Sequence, residues 1–229
     1  STLAGDNASA SVDRARFADW VRCADQIALM DIMATLQGAG LFTRQNNRYS
    51  LAQVISATMT VEGHRRLLQR WLSALCREGW LAEPEKHCYQ LQRNYDPQQH
   101  QMLWQQLQVL EAEVNYGAEL LRYLRESAAE LPRLLTGEVD PLVLLFPQGG
   151  METAFAAYND NLVNRTMNAV AVAAAVETAQ QHQRRHPGSA RPLQVLEIGA
   201  GVGGTSSELI PALADFPVRY QFTDLSTYF

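Results

Sequence analysis

No apolar run in this sequence approaches the ~20 residues that a helix needs to cross a bilayer. The longest, residues 170–176, is mostly alanine and is flanked by Asn168 and Glu177, so no membrane partner is expected. A basic segment leading into an apolar one is also missing at the start. Residues 1–11 are small and polar, a composition that reads as a linker rather than a secretory signal and points to a cytoplasmic setting. Cysteine is scarce: Cys23, Cys76 and Cys88 are odd in number and widely spaced, which fits reduced thiols better than a disulfide framework. His87 beside Cys88, with His64 and Cys76 upstream, lacks the short-loop spacing of metal ligands, so no metal is expected. Nor is there an excess of basic charge. A formal net charge of -5 and a sequence pI near 5.5 oppose a protein that neutralises many phosphates, and no nucleic-acid partner is expected.

What is present is the balance of an ordinary globular protein: 229 residues, 47% hydrophobic and 19% charged, enough to bury a sizeable core. Between residues 17 and 40, Phe17, Trp20, Val21, Ile27, Leu29, Ile32, Met33 and Leu36 recur at helical spacing before Gly38 and Gly40, predicting one or two helices. Ser50 is placed to cap a helix over residues 51–59. Over residues 61–80, Leu68, Trp71, Leu72, Leu75 and Gly79 fall on one face of a further helix, and residues 81–91 read as a hairpin turning at Glu83, Pro84 and Glu85. Helix, helix, hairpin suggests a winged helix. Such a fold can offer His64, Arg65, Arg66 and Arg70 to phosphates, but it serves equally as a packing module, and the acidic charge favours the latter. After Pro97, Leu103, Leu107, Leu110, Val114, Leu121 and Leu124 predict one long amphipathic helix to about Glu126. A short helical stretch follows over residues 131–137, then a compact apolar segment, 139–146, and a loop at 147–150.

A long helix is expected over residues 151–183. Asn161, Asn164 and Asn168 share one of its faces, although asparagine is a poor choice for a helix interior unless its amide has a partner. The face is either solvated or a polar wall over a ligand. Residues 181–191 read as a linker. Residues 193–198 then form a buried strand, followed by Gly199, Ala200, Gly201, Val202, Gly203, Gly204 and a helix over 205–213. Residues 218–223 make a second strand that ends at Asp224. Glycines let the loop turn tightly and approach a ligand, helix-start amides face what binds, and an acidic residue about twenty positions on is placed for a ribose hydroxyl pair. Gly199, Gly201 and Gly204 alone satisfy a pattern shared with nicotinamide and flavin sites.

Glu197 separates these readings. The run Glu-Ile-Gly-Ala-Gly-Val-Gly-Gly-Thr resembles motif I of S-adenosylmethionine-dependent methyltransferases, in which the carboxylate lies near the methionine end of the cofactor. Several ordered stretches narrow the resemblance: Leu144-Leu145-Phe146-Pro147-Gln148-Gly149, Tyr158-Asn159-Asp160-Asn161 with Asn168, Leu196-Glu197-Ile198-Gly199-Ala200-Gly201, and Phe222-Thr223-Asp224-Leu225-Ser226 with Phe229. Together they resemble a C-methyltransferase domain of polyketide synthase or hybrid nonribosomal peptide synthetase assembly lines, over residues 142–229 and less specifically over the helical half before them.

That resemblance implies an α/β fold. Its organisation is a linker over residues 1–15, a mostly helical lid or substrate region with a winged-helix-like part over 16–140, a connecting strand or loop and long helix over 141–190, and the start of a Rossmann-like class I methyltransferase core over 191–229. It implies S-adenosylmethionine as cofactor, held by Glu197, Gly199, Gly201, Gly204, Asp224 and Leu225, with Tyr158 and Asn161 as substrate-side or lid candidates. The acceptor it implies is the α-carbon of a β-ketoacyl chain on the phosphopantetheine arm of an acyl carrier protein, among neighbouring megasynthase domains. Carbon methylation requires a base. In the family this is a histidine with a carboxylate partner in a later part of the fold, so none of His64, His87, His100, His182 and His186 is nominated, and a core with two strands is expected to be incomplete for catalysis. A non-catalytic, methyltransferase-like structural module and an N- or O-methyltransferase of the same fold stand as alternatives.

Overall fold

Trp20, Cys23, Ile27, Met30, Met33 and Leu36 are spaced by threes and fours and are all buried, which draws residues Arg14–Gly38 into one helix, α1. In the computed structural model, residues 12–187 and 191–226 are described. They divide into two units, Arg14–Val114 with Arg122–Leu144, and residues 115–121 with 145–226. Most of the linker expected over residues 1–15, and Phe229, lie outside the described residues, and the helix has already begun at Arg14.

In the first unit, α1 is followed by strand β1 (Arg48–Ser50), helix α2 (Leu51–Ala57), a 3-10 turn (Glu62–His64), helix α3 (Arg65–Arg77) and strands β2 (Leu81–Glu85) and β3 (Cys88–Leu91). The sheet order is β1-β3-β2, antiparallel throughout. This is the expected winged-helix arrangement, with a third strand that the polar segment before Tyr49 concealed. Ser50 caps α2 in a reciprocal box with Gln53. Leu68, Leu72 and Leu75 of α3 pack with Met33, Leu36, Phe42 and Val54 in the core. Two local expectations fail for backbone reasons. Gly79 does not line the α3 face but ends the helix at φ +71. The hairpin turns at Lys86 and His87, not at 83–85, because the Glu83 carboxylate accepts the His87 amide at 2.7 Å. Pro84 sits in the edge strand β2, where the pairing register slips between Ala82 and Glu85 and no ladder donor is needed.

The long helix expected after Pro97 is two, α4 (Pro97–Val114) and α5 (Ala118–Ala129). The break falls at Asn115, with φ +50. Helix α6 (Leu131–Leu135) follows and accepts the Val61 amide at Leu135 O, 3.0 Å. Beneath them lies a half-buried relay in which Asp31 Oδ1 is 2.9 Å from His100 Nε2, while His100 Nδ1 meets the Tyr95 hydroxyl at 2.9 Å. Burial raises the Asp31 carboxyl to about 7 and lowers the His100 imidazole. Mutual attraction at this distance acts in the opposite sense on both groups, and desolvation outweighs it. The apolar segment expected over residues 139–146 contains helix α7 (Pro141–Leu145), not a strand: Asp140 Oδ1 accepts the Leu142 amide at 2.8 Å, starting a turn.

In the second unit the helix expected over 151–183 is also two, α8 (Glu152–Tyr158) and α9 (Leu162–Arg185). Asn161 is the N-cap of α9 rather than a residue of its face, and its side chain accepts the Asn164 amide at 3.0 Å. The turn before α9 is tied to residues 115–117: Tyr116 O accepts the Leu162 amide at 2.7 Å, and a Cβ at Gly117 would lie 2.8 Å from Asp160 O. Helix α9 runs through the first part of the expected linker, with Gln181 and Arg184 both held to Glu177; residues 188–190 are outside the description. Strand β4 (Leu193–Ile198), helix α10 (Ser206–Ala212) and strand β5 (Val218–Thr223) complete the described chain. The two strands are parallel and in register from Leu193↔Val218 to Ile198↔Thr223, as a strand–helix–strand crossover requires. β4 is not buried as expected: Leu196 is 58% and Ile198 81% exposed, so one sheet face is open among the described residues.

Candidate functional site

At the C-terminal end of β4 the chain leaves the sheet through Gly199 and Gly201, with φ of +75 and +55. These are left-handed conformations that glycine adopts at little cost. No atom lies within 4 Å of a Cβ built on either, so the loop backbone faces open space. Gly203, at φ +76, is a third such position that the spacing G-x-G-x-x-G passes over. The amides of Gly199 and Ala200 both donate to Thr223 O at 3.0 Å, which pins the loop to the end of β5. One residue on, Asp224 Oδ2 accepts the Gly201 amide at 2.8 Å and Oδ1 the Ser226 amide at 2.7 Å. These N–H groups hold the Asp224 carboxyl below the usual carboxylate range. Leu225 beside it is fully exposed. The glycines and Asp224 therefore meet at the crevice beyond the strand ends, where open parallel sheets bind ligands.

Gly204 has a different task. It is buried, and a Cβ there would lie 3.0 Å from Asn159 Cβ and 3.3 Å from Tyr158 O, so the absence of a side chain here allows close packing against the end of α8. Of the two substrate-side candidates, Tyr158 is 61% exposed at the end of α8. Asn161 is buried, and its amide is committed to the cap and to Ala157 O at 2.9 Å.

Glu197 is braced from two sides. Its Oε2 accepts the Tyr220 hydroxyl at 2.6 Å and the Ser206 hydroxyl, linking β4, β5 and the first turn of α10. Burial and this bond push the Tyr220 phenol up to about 12. Sequence reasoning missed Tyr220 and Ser206; the parallel register opposes Glu197 to Phe222, which puts Tyr220 two residues away on the same face, but that pairing is not visible before the strands are aligned. It also left open the task of Asn168. That side chain is buried, donates to Asn159 Oδ1 at 2.6 Å and accepts the Thr205 hydroxyl at 2.9 Å. Among the described residues no group of three or more His, Cys, Asp or Glu is disposed to hold a metal, and no helix is long and apolar enough to cross a membrane.

A largely helical first region followed by a glycine loop between two parallel strands defines the opening of a Rossmann-like methyltransferase core. The chain's structural neighbours include the CurJ and DszA carbon methyltransferases and the CMeT domain of the citrinin polyketide synthase. The CurJ carbon methyltransferase is 26% identical and superposes with a TM-score of 0.82 over 99% of this chain and 58% of that one. In sequence, the chain is 34% identical over 218 residues to the pyochelin synthetase PchF of Pseudomonas aeruginosa, covering 91% of this chain and 11% of PchF. It is 37% identical over 106 residues to the non-reducing polyketide synthase epaA of Aspergillus niger, covering 45% of this chain and 4% of that synthase. The chain thus spans a small part of these synthases and a little over half of the CurJ structure. No family model matches it.

Proposed function

We propose that this chain supplies the lid and the cofactor-binding half of an S-adenosylmethionine-dependent C-methyltransferase that acts on the α-carbon of a carrier-bound β-ketoacyl chain. The observation that carries this reading is the closure of the glycine loop on Asp224 at the ends of two parallel strands. Open space over Gly199 and Gly201 fits the approach of an adenosine ligand, and the Asp224 carboxylate, ionised well below neutral pH, keeps acceptor lone pairs for ribose hydroxyls. Bound S-adenosylmethionine supplies an electrophilic sulfonium methyl group. The chain's residues hold and orient it: the Thr223 carbonyl and Asp224 fix the loop, and Glu197, braced by Tyr220 and Ser206, keeps a carboxylate near the crevice, where a cation is favoured. No described residue is assigned as the base that removes the α-proton.

The acyl carrier protein with its phosphopantetheine-linked chain, the neighbouring synthase domains and a cytoplasmic setting belong to the same proposal, supported by likeness to parts of multidomain synthases. Calorimetry of S-adenosylhomocysteine binding, with Asp224→Ala as the comparison, tests it. Micromolar binding lost in the variant is the expected result. A folded chain that binds nothing, alone and within its complete domain, supports a non-catalytic structural module instead.

A further inference from the structure

We propose that Asn168 is a positioning residue of the cofactor loop, acting through Thr205 and Asn159 rather than by touching a ligand. The inference rests on the reading of the glycine loop as a cofactor site. Four elements converge on this one amide. Asn168 lies in the second turn of α9; its Nδ2 donates to Asn159 Oδ1 at 2.6 Å, in the turn that ends α8, and its Oδ1 accepts from Thr205 Oγ1 at 2.9 Å, where the glycine loop becomes α10. Asn168 and Asn159 are 6% and 8% exposed, so water competes little for these bonds.

The clamp closes over the tightest backbone approach in the loop. Gly204, next to Thr205, packs where a Cβ would stand 3.0 Å from Asn159 Cβ. Asn159 is therefore both the surface against which Gly204 rests and the acceptor that orients the Asn168 amide. With Nδ2 committed to Asn159, Oδ1 is left to take the Thr205 hydroxyl, and the amide has one orientation that satisfies both. The C-terminal half of the loop is fixed in this way from the helical side, while Thr223 and Asp224 fix its first half from the sheet side. A loop held at both halves presents its backbone in one geometry before the ligand arrives, so less ordering remains to oppose binding. This also accounts for an asparagine inside a helix, where propensity alone disfavours it.

Two measurements on the full chain test the clamp: amide hydrogen exchange over residues 199–206 without ligand, and the S-adenosylhomocysteine dissociation constant. Thr205→Val removes the hydroxyl at nearly constant volume and is expected to speed exchange in residues 203–206 and weaken binding, each by roughly five- to tenfold, the worth of one hydrogen bond. The melting temperature should fall by about 2–5 °C, the shift that one hydrogen bond is worth in a chain of this size. Thr205→Ser, which keeps the hydroxyl, should restore both readouts, and Asn168→Leu should reproduce the Val effect where it folds. A Thr205→Val protein with a lowered melting temperature but unchanged loop exchange overturns the proposal, as does faster exchange with unchanged affinity. If the wild-type chain binds no ligand, the cofactor reading fails separately, and loop exchange alone then decides whether the clamp exists.

Discussion

The Gly201 amide points at Asp224 Oδ2 across 2.8 Å, so the carboxylate at the end of β5 braces the loop at the end of β4 before any ligand is present. Asp224→Ala removes that brace together with the carboxylate proposed to meet the ribose. The expected outcome is loss of S-adenosylhomocysteine affinity by roughly tenfold or more in calorimetry, with a modest loss of stability because the partly exposed carboxylate also accepts the Gly201 and Ser226 amides. The sign of its pH dependence follows from the depressed carboxyl. The brace is intact above the ordinary carboxylate range and weakens as pH falls through the lowered value, so binding measured between pH 6 and 8 should not depend on this group.

Gly204→Ala and Gly199→Ala separate two uses of glycine. At Gly204 the new methyl meets Asn159 Cβ at 3.0 Å and the Tyr158 carbonyl at 3.3 Å, and overpacking of this kind costs about 1–3 kcal/mol. At Gly199 nothing stands within 4 Å, but φ is +75, so only the left-handed strain of about 1–2 kcal/mol applies. Urea unfolding should show both losses, whereas a crystal structure should show displacement of α8 relative to α10 in Gly204→Ala alone.

Tyr220→Phe deletes the 2.6 Å bond to Glu197 while keeping the ring. Ser206 remains on the same oxygen, so the carboxylate is not orphaned, and the stability loss should be about 1 kcal/mol by chemical denaturation. A larger loss would mean that Ser206 does not hold the carboxylate by itself.

Asp31 gives the first unit a pH signature. Its carboxyl is raised to about 7 from an ordinary 3.8, so between pH 4 and 7 the folded protein keeps a proton that the unfolded chain has released, and this contribution is lost as pH rises. The lowered His100 acts the other way below its ordinary value of 6.5. Asp31→Asn removes the carboxylate term, so stability measured as variant minus wild type should climb by about 1–3 kcal/mol from pH 4.5 to pH 7.5. A flat difference would show that Asp31 titrates normally.

The elements with strong local signals were legible in the sequence. Apolar spacing marked α1 and α3, Ser50 announced its cap, and the strand–glycine–strand order of residues 193–224 is reproduced in the fold. Legibility ended where a tertiary bond overrides the periodic pattern. Nothing in the apolar spacing shows that helix must stop at Asn115 so that Tyr116 can accept from Leu162, or at Asn159 so that Asn161 can cap α9. The pattern of asparagines was visible, but its meaning was not: Asn161 works on its own helix, whereas Asn168 reaches Thr205, 37 residues away in sequence. Likewise Glu197 stood out as an acid before a glycine loop, while its partners Tyr220 and Ser206 came into view only with the strand register.

Helix α9 contains 24 residues, a rod about 36 Å long; its side-chain anchors cluster in the first two turns, with His182 Nε2 3.2 Å from Arg191 O near the far end. Asn161 caps it, Arg165 bonds Asp160 and the Asn115 carbonyl, and Asn168 completes the second turn. A rod held most firmly at its first two turns acts as a lever about them. A tilt of five degrees at the asparagines, too small to break a hydrogen bond, sweeps Arg185 through about 3 Å, so displacement at the remote tip is a magnified record of what happens beside the glycine loop. A spin label at Arg185 would read that record directly.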